Sequence, residues 1–157
     1  MGFLPTAKDT PRLTMLRGLP LFSTLSRREL RIIEGLLHDR RYVKGEIVFD
    51  EGDEGQSVYV VMSGKVLICR QGERETGRLT VLDAGAVFGE LALLDDAPRA
   101  AQARAEEDCT LAALSRGDFE KLLETRASLA SKIALQLARQ LGRQLRERAV
   151  PVERKPL

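Results

Sequence analysis

Histidine occurs once in this chain of 157 residues, cysteine twice and tryptophan not at all, and aromatic side chains make up only 4% of it. The lone His38 weakens any zinc or histidine-based catalytic reading and is expected at a helix end or on the surface. Cys69 and Cys109 are too few for a disulfide scaffold and do not make a metal site. Both fall in apolar runs and read as small buried hydrophobes. No apolar run approaches the roughly 18 residues of a membrane helix. The opening MGFLPTAKDTPR lacks a secretory apolar core, so a soluble, cytoplasmic protein without membrane contact is expected. Nucleophile elbow, Walker A lysine segment and metal-ligand set are all missing, so the chain does not read as an enzyme, and neither cofactor nor metal is expected.

What is present is unevenly spread. The net charge is only +2, from 25 basic and 23 acidic side chains, which fits neither a uniformly basic nucleic-acid binder nor an acidic disordered segment. Residues 1–125 carry 17 Lys and Arg against 21 Asp and Glu, whereas residues 126–157 carry eight against two. Twelve of the 13 glycines precede residue 118, and the basic end is rich in Leu, Ala, Arg and Gln. The length suits one compact domain with an appendage.

Four segments follow. Residues 1–14 read as a flexible arm, Pro5 and Pro11 discouraging regular structure. Residues 15–125 form the body. A helix is expected over Ser26–Leu37, where Ser26 and Glu29 have capping-box spacing and Leu30, Ile33, Leu36 and Leu37 recur at helical intervals. Leu19, Leu21, Phe22 and Leu25 ahead of it are available to cover one end of a core. From Arg40 to Ser115 come eight short apolar runs: RYV, EIVF, SVYVVM, KVLICR, RLTVL, AVF, AAQARA and CTLAAL. Turns at 44–45, 51–55, 63–64, 70–73, 75–77 and 83–85 punctuate them, which predicts an antiparallel barrel or sandwich. In KVLICR, Val66 and Ile68 against Lys65, Leu67 and Arg70 read as a half-buried strand. A short helix is expected over Gly117–Glu124.

Residues 126–149 carry a long helix, from about Ser128 to Arg148, ended by Val150-Pro151, with a loose tail at 150–157. Ile133, Leu137, Leu141 and Leu145 form a stripe along it, flanked by Leu129, Ala130, Ala134 and Ala138. The helix is too long to be covered by a small barrel, so part of the stripe should meet something else, most simply a second copy of itself. Lys132, Arg139, Arg143 and Arg146 occupy the other face, which reads as solvated or as a surface for an acidic partner.

The stretch most informative about chemistry is FGELALLDDAPRA, residues 88–100. Gly89 permits a sharp turn or close approach to a ligand. Glu90 then opens a short helix at Leu91–Leu94, whose free N–H groups suit an anion. The turn Asp95-Asp96-Ala97-Pro98 follows, and Arg99 starts a strand. An arginine beside free amides makes a phosphate site through its planar, charged fork. A carboxylate only accepts hydrogen bonds and so suits sugar hydroxyls. Glu90 alternatively only caps its turn, or forms an ordinary surface ion pair with Arg99.

FGELALLDDAPRAAQARA resembles the phosphate-binding cassette of the cyclic nucleotide-binding domain family, as in protein kinase A regulatory subunits and bacterial catabolite-activator-type regulators. The upstream IVFDEGDEGQSVYVVMSGKV is similar to that family's first strands and turns, with Gly45, Gly52, Gly55 and Gly64 at the turns. The likeness covers roughly residues 15–148. It implies a mainly β fold: a double-stranded, jelly-roll β-roll of about eight strands with N-terminal helices and a long C-terminal helix. It also implies that Glu90 receives the ribose 2′-hydroxyl and Arg99 the cyclic phosphate, with backbone groups of Gly89, Leu91 and Ala92 and the amides of Ala100 and Ala101 completing the cradle. Ala100, without a hydroxyl, leans toward cAMP over cGMP. The long helix would lid the base, with Gln144 where the bacterial regulators place a threonine.

The expectation is thus a stand-alone cAMP sensor that relays binding through its C-terminal helix, dimerises along it and acts on a protein effector. The nine residues after Arg148 leave no room for a helix-turn-helix, so no direct DNA binding is expected. The alternatives are a degenerate scaffold or adaptor with a dead pocket, a cGMP or cyclic-dinucleotide sensor, or a fragment of a transcription factor or channel.

Overall fold

The computed structural model describes residues 9–70 and 79–148. Pro5, the turns centred on Gly72 and Gly77, the stop at Val150-Pro151 and the tail 150–157 lie outside the described residues. The chain opens with α1 (Pro11–Arg17), a 3₁₀ turn at Pro20–Phe22 and α2 (Arg27–Leu36). Eight strands follow among the described residues: β1 (His38–Tyr42), β2 (Ile47–Phe49), β3 (Ser57–Ser63), β4 (Val66–Cys69), β5 (Thr80–Leu82), β6 (Val87–Phe88), β7 (Gln102–Ala105) and β8 (Cys109–Ser115). A second 3₁₀ turn, Glu90–Leu93, lies between β6 and β7, and α3 (Arg116–Thr125) and α4 (Ala127–Arg148) close the chain.

Pro11 does not discourage structure. It is the first residue of α1, where its missing N–H costs nothing and its fixed φ suits a helix. Thr10 caps that helix by accepting from the Leu13 N–H at 3.1 Å. Regular structure therefore begins within the segment read as an arm. The capping box of α2 is present in both directions, Ser26 Oγ accepting from the Glu29 N–H and Glu29 accepting from the Ser26 N–H. Leu19, Leu21 and Phe22 are buried at the foot of the core. His38 opens β1 with its ring exposed, 3.8 Å from Asp118.

The strands pair antiparallel in two four-stranded sheets, β1-β8-β3-β6 and β2-β7-β4-β5. This is the jelly-roll β-roll with helices before and after it. Val61, Val66, Phe88, Ala103 and Leu111 fill the space between the sheets. The turn from β3 to β4 depends on Gly64, at φ +82°. A Cβ there would overlap the Asp108 carbonyl oxygen and stand 2.6 Å from the Cys109 Cβ. β4 is not half-buried as its alternation suggests. Val66 and Leu67, which point to opposite faces of the sheet, are both buried, as is Cys69, so polar–apolar alternation has no solvent face to report.

A second core lies where the helices pack on the first sheet, joining Leu16, Phe22, Ile33, Val58, Leu114 and Phe119 to the first half of α4. Leu129, Ala130, Ile133 and Leu137 are buried there, Leu141 is half-buried, and Leu145 is 71% exposed. The leucine stripe thus divides between a packed root and an uncovered end. On the other face Arg139, Arg143 and Arg146 are exposed, but Lys132 is not simply solvated: its ammonium meets Glu29 of α2 at 2.7 Å.

Glu29 therefore caps α2 and fastens α4 at once. The Lys132 hydrogen bond, followed by that from the Ser26 N–H, holds its carboxyl below the ordinary 4.5. A lowered folded pKa contributes stability that is present above the unfolded value and lost as pH falls through the folded one. Lys132→Ala is expected to cost about 1 kcal/mol in urea unfolding at pH 7. That gap should narrow as the pH falls from 4.5 into the range where the Glu29 carboxyl protonates; a gap that stays constant down to full protonation of the carboxylates would contradict the pairing.

Candidate functional site

β6 ends at Phe88, and the chain turns at Gly89 in the left-handed region, φ +73°. The segment after it is a single 3₁₀ turn, Glu90–Leu93, one residue earlier than the expected helix. It seats Ala92 and Leu93 in the core while Leu91 stays exposed. The turn cannot lengthen because Asp95 Oδ1 takes the Ala97 N–H at 3.1 Å, and Pro98 follows. Amides that open such a turn have no partner within it, and those of Gly89, Glu90 and Leu91 are in that position.

Arg99 does not begin a strand; β7 starts at Gln102. Its backbone is pinned to the turn between β2 and β3: the Arg99 N–H donates to the Asp53 carbonyl at 2.7 Å, and the Gly52 N–H donates to the Arg99 carbonyl at 2.8 Å. Glu54 and Pro98 form a bridge alongside. This fixes where the side chain must start.

The Arg99 side chain runs inward, and the residue is only 9% exposed. One terminal nitrogen donates to the Ser57 carbonyl at 2.7 Å and the other to the Gly89 carbonyl at 3.1 Å. The guanidinium lies 4.1 Å above the centroid of the Phe49 ring. Phe49 belongs to a cluster with Tyr59 and Phe88, ring centroids 5.3 to 6.0 Å apart. Among the described residues the buried Nε has no hydrogen-bond partner. Burial pushes the Arg99 pKa below its ordinary value, and Tyr59, Asp53 and Glu90 act the other way. An arginine nevertheless stays protonated at neutral pH.

Glycines crowd this cation from two sides. A Cβ on Gly89 would stand 2.7 Å from an Arg99 terminal nitrogen. One on Gly55 would stand 3.4 Å from Arg99 Nε and 3.2 Å from the Ala92 Cβ.

A cavity of about 440 Å³ opens over this arrangement. Gly89, Glu90, Leu91, Ala92, Arg99, Ala100, Ala101 and Gln144 all line it. The eight residues singled out from sequence are therefore brought to one space, with α4 closing over it through Leu141 and Gln144. The volume is that of a small-molecule site. Glu90 and Arg99 do not bond to one another, so the ordinary ion pair is not formed. The Glu90 carboxylate instead accepts from Gln140 Nε2 of α4 at 3.3 Å.

Three residues of the site escaped the sequence reading. Gln140 lies one helical turn before Gln144, and that i, i+4 spacing was its available signal. Phe49 was hidden as an apolar residue in a strand. Arg116 donates to the Gly55 and Asp95 carbonyls at 3.1 and 2.7 Å, which no spacing announces.

A model of the family described as the cyclic nucleotide-binding domain matches residues 39–126. The chain belongs to the cyclic nucleotide-binding domain family. Among relatives of this domain, the cyclic AMP receptor protein of Thermus thermophilus is 39% identical over 125 residues, 78% of this chain and 57% of that protein. A cAMP-dependent protein kinase regulatory subunit of Emericella nidulans is 38% identical over 108 residues, 69% of this chain and 26% of that protein. The chain thus spans little more than half of one relative and about a quarter of the other. Among solved structures, the N-terminal domain of a transcriptional regulator from Streptomyces coelicolor matches with a TM-score of 0.73 at 31% identity, covering 87% of this chain and 97% of that one. The catabolite activator protein of Thermus thermophilus matches at 0.70 and 39%, covering 82% and 59%.

The domain is a nucleotide-binding regulatory module. Among the described residues no three His, Cys, Asp or Glu side chains gather to hold a metal, and no helix is long and apolar enough to cross a membrane.

Gly89→Ala tests the site's geometry, because it puts a Cβ at positive φ and against Arg99 together. It should lower unfolding stability by about 1–2 kcal/mol from the backbone alone. A variant with the parent's urea midpoint would contradict the close approach.

Proposed function

We propose that this domain is a cAMP sensor in which Arg99 receives the cyclic phosphate and Glu90 the ribose 2′-hydroxyl. The observation that carries the reading is the Arg99 guanidinium, a buried cation with spare N–H donors on the wall of the same cavity as Glu90. Two carbonyl bonds use two of its five N–H donors, and an anionic phosphate supplies the counter-charge that carbonyl oxygens lack. The amides of Ala100 and Ala101 and the backbone of Gly89, Leu91 and Ala92 complete the cradle. Ala100 offers no hydroxyl to a guanine amino group, which favours cAMP over cGMP. Gln144, on the α4 side of the cavity, is the partner for the base edge.

Binding is relayed by a population shift in α4. Its root is held in the core and by Lys132, while Gln140 bonds the carboxylate that the ribose needs. Ligand entry therefore changes what the outer half of α4 touches. In this reading residues 15–125 hold the nucleotide and residues 126–149 carry the response. The exposed end of the leucine stripe, at Leu145, is where a second copy docks, and the output passes to a protein effector or to further chain, as suits relatives much longer than this sequence.

Calorimetric titration with cAMP, cGMP and a cyclic dinucleotide tests this directly. Saturable heat with cAMP at the lowest Kd is expected, with slower amide exchange over residues 139–148 at saturation. Arg99→Ala should weaken binding about 100-fold and Glu90→Gln about tenfold, since a charge-assisted phosphate contact outweighs one hydroxyl contact. Absence of heat with every cyclic nucleotide, or an Arg99→Ala variant that binds as the parent does, would overturn the assignment.

A further inference from the structure

Arg116 is the first residue of α3, where a cation faces the positive end of the helix dipole and is disfavoured. Its neighbours show what holds it there. The same terminal nitrogen donates to the Asp95 carbonyl at 2.7 Å and to the Gly55 carbonyl at 3.1 Å. Its second terminal nitrogen lies 3.8 Å from Glu54 and its Nε 3.7 Å from Glu120, the latter an ordinary i, i+4 contact. The Arg116 N–H also donates to the Gln56 carbonyl at 2.8 Å. The side chain is mostly buried, with 21% of its surface exposed.

The two carbonyls belong to segments distant in sequence that form the walls around Arg99. Gly55 leaves open the space where a Cβ would stand 3.4 Å from Arg99 Nε and 3.2 Å from the Ala92 Cβ, so its position bounds the room available to the guanidinium. Asp95 follows the 3₁₀ turn, its N–H donating to the Leu91 carbonyl at 3.3 Å, and begins the bend that delivers Arg99 to the cavity. Glu54, beside Gly55, bridges Pro98, the residue before Arg99. Neither carbonyl lies in a ladder of the two sheets, so sheet pairing does not hold them in register. A guanidinium spanning both does.

We propose that Arg116 is a positioning residue for nucleotide binding, clamping Gly55 to Asp95 so that Arg99 and the opening of the 3₁₀ turn meet the phosphate together. The inference rests on the cyclic-nucleotide reading of the cavity. Because Arg116 sits at the root of α3, which leads directly into α4, the clamp also joins the cradle to the helices that respond.

The test is the dissociation rate of a fluorescent cAMP analogue from the full chain, chased with excess cAMP, for the parent, Arg116→Ala and Arg116→Lys. Loosened walls release ligand sooner and scarcely alter encounter, so Arg116→Ala should dissociate about tenfold faster with an association rate near the parent's. Arg116→Lys keeps the charge and a similar reach. It should fold as the parent does, by melting without ligand, and dissociate at an intermediate rate. A merely structural role would lower the melting temperature and leave the dissociation rate of the folded protein unchanged. Rates within twofold of the parent for Arg116→Lys and for any folded Arg116→Ala would overturn the proposal while leaving the cavity assignment intact. A parent chain that binds no cyclic nucleotide would bring down both.

Discussion

The arrangement around the cavity follows from burying one positive charge. Removing a guanidinium from water is costly unless its N–H groups find acceptors and its charge finds a compensating environment. Arg99 finds two backbone carbonyls and the face of Phe49, and two glycines leave room for it on either side. The compensation is incomplete. Nε has no acceptor among the described residues, and burial outweighs the favourable influence of Tyr59, Asp53 and Glu90 on the protonated form. A site left short of negative charge is selective for a ligand that brings it. The scaffold's devices around residues 52–57 and 89–99 serve this one placement: the left-handed Gly89, the Asx turn at Asp95, the bridge at Glu54 and the Arg116 clamp.

The second constraint is the length of α4. Its 22 residues exceed what the helical core covers, so the root is held by Leu129, Ile133, Leu137 and Lys132 while the outer turns reach the cavity through Leu141 and Gln144, and Gln140 bonds Glu90 on its wall. A helix fixed at one end and in polar contact with a binding site at the other is suited to report occupancy. The charge distribution divides near the start of this helix, residues 1–125 carrying the acidic excess and residues 126–157 the basic one.

The eight apolar runs between Arg40 and Ser115 correspond to the eight strands because turn residues separate them sharply, and the eight residues taken from FGELALLDDAPRAA and the long helix all reach one cavity. Local chemistry was enough there. What escaped depends on tertiary context. Pro11 breaks a helix interior but starts a helix, and which applies is decided by Thr10 ahead of it. The alternation of β4 failed because the strand is covered on both sides. Phe49 as a platform, Gln140 as a partner of Glu90 and Arg116 as a bridge between carbonyls depend on contacts across 21 to 61 residues of sequence, which local spacing does not report.

The central claim is that the Arg99 guanidinium receives the anion. Titrating cAMP into protein with ¹⁵N-labelled arginine, and following the side-chain N–H resonances assigned by Arg99→Lys, tests it most directly. The account predicts that the Arg99 resonances shift and exchange more slowly with solvent in step with saturation. Arg99 resonances unmoved at full occupancy, while other cavity residues shift, would contradict it.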